Sequence, residues 1–276
     1  MVGMTGSNPI TRLNSGQMMP LLGLGVYNMY GKEAEKAVID AFEVGYRLLD
    51  TAAMYNNEME IGNAVKSSSL PRKEIFITTK VSNTDQGFDS TLRAFDESLK
   101  KLQTDYVDLY LIHWPIKGKR KQTWQALEKI FASGKSKSIG VANYLVPFLD
   151  ELNEYAQMAP AVNQVEFSPY LYPASLLDYC KAKNILLQAY SPLVRGLRMN
   201  DPRLIKIAKK YGRTTAQIIL RWDIELGIST IPKSVKPERL RENFDIFDFH
   251  LEQDDIDYLK TFDEKLRVAY DPMIFL

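Results

Sequence analysis

The chain is poor in the residues that would commit it to metal, disulfide or membrane chemistry. Among its 276 residues Cys180 is the only cysteine, which excludes an intramolecular disulfide and fits a reducing compartment. His113 and His250 are the only histidines and lie far apart, so a multi-histidine metal centre is disfavoured and no metal is expected. No run approaches the roughly 20 apolar residues that span a bilayer. The opening stretch "MVGMTGSNPITRLNSGQMMP" lacks the apolar core and cleavage site of a secretory leader. Lys plus Arg number 35 against 34 for Asp plus Glu, so no field of one sign favours nucleic acid or an anionic membrane. No linker rich in Gly, Ser or Pro divides the chain. These absences lead us to expect one domain over residues 1–276, working in the cytoplasm on a small molecule.

What is present is a repeat of short apolar runs and amphipathic segments. The strand candidates are "LLGLGV", "YRLLD", "EIFITTK", "YVDLYLIH", "SKSIGVA", "PAVNQVE", "NILLQAY" and "ISTIP". Between them lie helical patterns such as "KEAEKAVIDAFEVG" and "GFDSTLRAFDESLKKLQ". Asp89 or Ser90 is expected to start the second of these, because short oxygen-bearing side chains cap free N–H groups. Strands alternating with helices imply a parallel sheet, and eight of them close a (β/α)8 TIM barrel. Two segments stand outside the repeat. "ITRLNSGQMMP" reads as a β-hairpin turning at Asn14-Ser15-Gly16, and "EQDDIDYLKTFDEK" as an extra C-terminal helix. The tail "LRVAYDPMIFL" is expected to fold over the barrel mouth, its alternative being to pack on the outer helices.

Three polar residues end successive runs: Asp50, Lys80 and His113, spaced 30 and 33 residues apart. That is close to the roughly 31 residues per unit of a barrel of about 250 residues, whose active sites lie at the C-terminal ends of the strands. Tyr55 enters the same mouth from the loop after Asp50. A phenol ordinarily titrates near 10, too high for an efficient acid at neutral pH. Lys80 is expected to lower that value, with Asp50 pairing to hold the ammonium in place. His113 is placed to donate a hydrogen bond to the same substrate oxygen. The four suit protonation of a carbonyl oxygen while hydride adds to its carbon. Taken singly, each has a plain structural alternative: a helix cap for Asp50, a solvated strand end for Lys80, a satisfied histidine for His113. His250 reads as a surface residue.

The cofactor side shows no G-x-G-x-x-G opening a helix, so the Rossmann fingerprint is missing and "GLG" at 23–25 reads as tight packing. "IPKSVKPERLREN" is the better anion site. Lys233 and Ser234 are expected to end the eighth strand, Pro237 to open a helix, and Arg239 and Arg241 to add cations at its positive end.

"LLGLGV", "DTAAMYNNEMEIG", "ITTKV", "DLYLIHWP", "GVANY", "VNQVEFSPY", "AYSPL" and "IPKSVKPERLRENFDIFDF" together resemble the aldo-keto reductase superfamily over roughly residues 8–265. The resemblance implies a (β/α)8 barrel that reduces aldehydes and ketones with NADPH, without metal or flavin, as a monomer. It puts the superfamily's tetrad on Asp50, Tyr55, Lys80 and His113. Members that reduce steroid C=C bonds carry glutamate in place of the histidine, so carbonyl chemistry is implied here. It further implies the adenosine 2′-phosphate at Lys233, Ser234, Val235 and Arg239, with Glu242 and Asn243 near the adenine. The nicotinamide would stack on Tyr190 and meet Asn143 and Gln164, with Ser191 and Leu193 along the diphosphate. Three positions depart from the usual pattern: Ala142 for serine, Tyr27 for tryptophan and Ser168 for histidine.

Tyr27, Tyr55, His113 and Trp114 are the expected substrate-binding residues, joined by tail residues such as Tyr270. Aromatic walls suit an apolar carbonyl compound. Members of this length include prostaglandin F synthases and general aldehyde or diketone reductases. The competing reading is an NADP(H)-binding regulatory or redox-sensing barrel with little turnover, and a metal-dependent hydrolase ranks behind both.

Overall fold

The inward and outward alternation of side chains along each strand decides where the site forms. The computed structural model describes residues 8–276. Residues 1–7, on which part of the leader and single-domain expectations falls, lie outside the described residues. The chain opens with the hairpin of β1 (Ile10–Arg12) and β2 (Met18–Pro20), paired antiparallel. Gly16 turns it at φ +90, a conformation that glycine adopts without steric cost. Eight parallel strands follow in neighbouring order: β3 (Leu24–Gly25), β4 (Leu48–Asp50), β5 (Phe76–Val81), β6 (Leu109–Ile112), β7 (Ile139–Ala142), β8 (Val162–Glu166), β9 (Leu186–Tyr190) and β10 (Ser229–Thr230). The ring closes where Leu22 bridges Thr230. There Thr230 N–H donates to Leu21 O at 2.7 Å, and Gly23 N–H donates to Thr230 O at 2.9 Å.

The expected barrel is therefore formed, with shorter strands than the apolar runs. Several runs continue past the regular ladder as irregular extended chain; Val107, for instance, makes an isolated bridge to Ser136. Lys233 and Ser234 accordingly sit in the loop after β10 rather than in the strand.

Residues of one parity fill the barrel: Leu48, Phe76, Leu109, Leu111, Ala142 and Val162 make one apolar cluster, plugged at the bottom by Leu13 and Met19 of the hairpin. Their neighbours Leu49, Ile77, Tyr110, Ile112 and Val141 face the helices in a second, larger cluster. Period-two alternation then dictates that Asp50, two residues after Leu48, and Lys80, four after Phe76, point inward. His113, two after Leu111, continues the same parity. Gly23 and Gly25 are packing glycines as expected. A methyl group on Gly23 would stand 2.1 Å from Leu48 Cδ2, and one on Gly25 2.8 Å from the Ile231 carbonyl oxygen.

One expected helix start moves. The helix runs Phe88–Leu102, so Asp89 and Ser90 lie inside its first turn and Gly87 precedes it. The Gly87 N–H is taken by Thr123 Oγ1 at 2.9 Å and its carbonyl by Thr91 N–H at 3.2 Å, which fixes the start there. The helix Gln253–Lys260 follows the eighth unit, and the tail then crosses the barrel mouth. Both oxygens of Glu166, at the end of β8, accept tail N–H groups, from Val268 at 2.6 Å and Ala269 at 3.1 Å. Arg120 holds the far end through the Phe275 carbonyl at 2.9 Å. Among the described residues no helix is long and apolar enough to cross a membrane.

Candidate active site

Asp50, Lys80 and His113 meet at the C-terminal mouth, each from its own strand end, and Tyr55 joins them from the 3₁₀ turn Ala53–Tyr55. Lys80 Nζ donates to Asp50 Oδ1 at 2.6 Å, to the Thr51 carbonyl at 2.9 Å and to Tyr55 Oη at 3.4 Å. The ammonium also lies 4.9 Å from the centre of the Tyr55 ring. The other oxygen of Asp50 accepts from Gln164 Nε2 at 2.6 Å. Burial pushes Asp50 up and Lys80 down, the directions that would discharge the pair. Contact with each other and a full set of hydrogen bonds oppose this, and removing either partner would leave a buried charge, at about 3–5 kcal/mol.

The expected acidification of Tyr55 runs the other way. Burial raises the phenol well above its ordinary value, and the negative charge of Asp50 adds to that. Asp50, paired with Lys80, opposes the lowering that the ammonium alone would bring, so the phenol holds its proton firmly. His113 is pushed well below the ordinary imidazole range by burial, with the Lys80 charge adding to it, and is neutral. Its Nδ1 is sealed without a partner. A buried lone pair is tolerated better than an orphaned N–H, so the proton belongs on Nε2, the nitrogen left for the pocket. The His113 and Tyr55 rings meet edge to face at 5.5 Å.

The wall is aromatic. Tyr27 packs edge-on against Tyr55 at 5.1 Å and remains 49% exposed. Trp114 stacks beside His113 at 6.5 Å and meets Tyr270 and Phe275 of the tail at 6.5 and 5.6 Å.

The expected nicotinamide residues cluster on the facing wall. Asn143 follows β7 in the left-handed region at φ 64; its Nδ2 donates to the His113 carbonyl at 2.9 Å and its Oδ1 accepts from Tyr190 Oη at 2.8 Å. Gln164 spends its amide N–H groups on Asp50 and on Gln188 Oε1, the latter at 2.8 Å, leaving its own oxygen as the group it can offer a carboxamide. Ser191 and Leu193 lie half-buried in the loop after β9, in which Ser191, Val194 and Arg195 all have φ near +50. Left-handed valine is sterically costly, so the loop is held there by its surroundings. The expected phosphate residues sit at the start of the helix Pro237–Phe244. Lys233 and Arg239 are exposed and form no ion pair among the described residues. Ser234 is buried, its hydroxyl accepting from the Lys236 N–H at 3.1 Å; Val235 is half-buried beside it. Asn243 is buried, and Glu242 accepts from Thr214 at 2.6 Å. Free cations at a helix N-terminus, with an amide pair and an aromatic face on the same barrel mouth, fit a phosphorylated dinucleotide.

Of the departures, Ala142 is buried in the barrel interior and Ser168 caps a turn through the N–H groups of Tyr170 and Leu171, both at 3.2 Å. His250 is on the surface beside Arg221 and Glu225, away from the site. Gln188, Glu166, Thr51 and Asn57 were not anticipated. Gln188 and Glu166 share the inward parity of their strands, and a polar residue at such a position in an apolar run is the signal that would have found them.

The Aldo/keto reductase family profile matches residues 21–264. The chain is 48% identical over 269 residues to glyoxal reductase of Bacillus subtilis, covering 97% of this chain and 98% of that one. It is 42% identical over 284 residues to morphine 6-dehydrogenase of Pseudomonas putida, covering 98% and 96%. A variant of Gox0644 solved in complex with NADPH superposes with a TM-score of 0.92 at 38% identity, covering 97% and 98%. The chain belongs to the aldo/keto reductase family and is an oxidoreductase.

Proposed function

We propose that this enzyme reduces aldehydes and ketones to alcohols, using NADPH and taking the proton from Tyr55. The observation that carries this reading is the reach of Lys80 Nζ, itself fully buried, to both Asp50 Oδ1 and Tyr55 Oη. NADPH supplies the hydride that adds to the carbonyl carbon. The substrate oxygen is held between Tyr55 Oη and the Nε2–H of His113. As charge develops on that oxygen, the phenol proton moves to it, and the phenolate left behind is stabilised by Lys80 Nζ. Asp50 keeps Lys80 aimed while solvent is excluded.

Lys233, Ser234, Val235 and Arg239 would hold the 2′-phosphate of NADPH, the cofactor bound in the related Gox0644 variant. Glu242 and Asn243 would face the adenine, Ser191 and Leu193 the diphosphate, and Tyr190, Asn143 and Gln164 the nicotinamide. Tyr27, Trp114 and the tail favour an apolar carbonyl compound, and the glyoxal-reducing relative adds small dicarbonyls. The same reading makes the enzyme a cytoplasmic monomer, its buried Cys180 staying reduced.

NADPH absorbance followed with a panel of aldehydes and ketones tests it. Tyr55→Phe should slow turnover by about 10²–10⁴-fold, the usual share of a general acid, while NADPH affinity stays unchanged. Equal rates in the two proteins would refute the proton donor.

A further inference from the structure

Asn57 is fully buried beside the site and has no part in the chemistry just described. It immediately precedes the helix Glu58–Ser67, where an asparagine side chain ordinarily caps its own helix; here it makes no such bond. Its amide is spent elsewhere. Nδ2 donates to the carbonyl oxygens of Val26 at 2.8 Å and Met29 at 3.0 Å, and Oδ1 accepts from Thr51 Oγ1 at 2.7 Å. Both donors are used and the acceptor is paired, so the bridge is complete.

Its partners belong to the two segments that shape the reaction space. Val26 and Met29 bracket Tyr27, the exposed aromatic wall. Thr51 follows Asp50, and its own carbonyl is the second oxygen that holds Lys80 Nζ. The Tyr27 loop is also tied to β4 by the Val26 N–H, which donates to the Asp50 carbonyl at 3.1 Å. At the other end the Met29 N–H closes the turn on the Val26 carbonyl at 3.3 Å, and the Met29 carbonyl is tied to the rest of the site by Asn57.

We infer that Asn57 is a positioning residue for the carbonyl reduction proposed above, a role that rests on that reading. It fixes the distance between the Tyr27 wall and the Tyr55 hydroxyl from one side, and steadies the Thr51 carbonyl under Lys80 from the other. Through Thr51 it acts on proton donation; through the Tyr27 loop it acts on which carbonyl compounds fit. A buried amide with three rigid partners suits this work, because an isosteric apolar residue would leave the Met29 carbonyl and the Thr51 hydroxyl unpaired, while the Val26 carbonyl would keep only the Met29 N–H at 3.3 Å.

The two arms separate by substitution. Thr51→Val removes only the hydroxyl, and should lower kcat about tenfold with KM unchanged, the scale of a small misplacement near the reacting atoms. Asn57→Ala should lower kcat by a similar factor. It should also raise KM for a bulky aromatic aldehyde several times more than KM for glyoxal. Combining the two should lower kcat no further than Asn57→Ala alone. A residue serving only the fold would lower the melting temperature while leaving kcat per folded site and the ratio of the two KM values unchanged, which would overturn the role. If Asn57→Ala fails to fold, the kcat of Thr51→Val decides, and a normal value overturns the link to Lys80. Wild-type protein that turns over neither aldehyde would instead overturn the reading of the site itself, and this role with it.

Discussion

The side-chain amide of Gln164 donates to Oδ2 of Asp50 at 2.6 Å across the full width of the barrel. β8 and β4 stand opposite each other in the ring of eight, so the carboxylate that restrains Lys80 is aimed from the wall that carries Tyr190 and Asn143. On the proposed mechanism, the proton-donating side and the cofactor side thus share one carboxylate. Gln164→Glu would replace a donor with a second negative charge, raise the proton affinity of Asp50 and slacken its hold on Lys80. We expect kcat to fall by about 10–100-fold, more steeply at pH 6 than at pH 8 because Asp50 then gains its proton more readily. Steady-state rates at the two values check this, and an undiminished kcat would show that Asp50 is held well enough by Lys80 alone.

The pH profile of reduction should lack an imidazole limb. His113 is pushed below its ordinary value, near 6.5, chiefly by burial, so it stays neutral as pH falls through that range. Tyr55 is raised above the ordinary phenol value, so its active, protonated form is lost only as pH rises through a value above about 10. Lys80 is lowered, and it is the group whose loss of charge would appear first on the alkaline side. The expectation is a kcat/KM that is flat from about pH 6 to 8. A limb centred near 6.5 would mean that His113 titrates during turnover.

Lys233 and Arg239 are exposed cations at the start of the helix Pro237–Phe244, and neither forms an ion pair among the described residues. A charge-assisted bond to a phosphate contributes about 1.5–3 kcal/mol. Lys233→Met should therefore weaken NADPH binding by roughly ten- to a hundredfold while leaving NADH, which lacks the 2′-phosphate, almost unaffected. Fluorescence titration with each cofactor measures both values. Equal losses would move the phosphate elsewhere.

The barrel and the meeting of Asp50, Lys80 and His113 were legible because both follow from periodicity. The unit length places strand ends on one rim, and inward parity from Leu48, Phe76 and Leu111 turns all three side chains into it. The direction of the Tyr55 shift was not legible, since spacing reveals that an ammonium is near but not how much water is excluded or that Asp50 cancels it. Asp89 and Ser90 looked like helix starts by local rules, but a contact from Thr123 in the next unit fixed the start at Gly87. Asn57 was hidden for the same reason. Its position suggests a cap, and only tertiary structure brings the Val26 and Met29 carbonyls within reach of its amide.

Asp223 gives a stability prediction independent of the chemistry. It lies on the inner side of the helix Thr215–Glu225, fully buried, with the Thr230 hydroxyl as the polar group beside its carboxyl oxygens and no cation to pair with among the described residues. Burial raises it well above its ordinary value. The folded chain therefore keeps a proton that the unfolded chain releases above about pH 4. Stability from this group is complete below that point and is lost as pH rises through the folded value, at up to about 1.4 kcal/mol per pH unit in between. Asn is close in shape and cannot ionise. The melting temperature of Asp223→Asn should accordingly gain on that of the wild type as pH is raised from about 5 to 8, with the advantage largest at the alkaline end. Thermal unfolding at a series of pH values measures that gap. A gap that stays constant would mean that Asp223 holds the same charge in the folded and unfolded chains, and that its burial is compensated by groups around it.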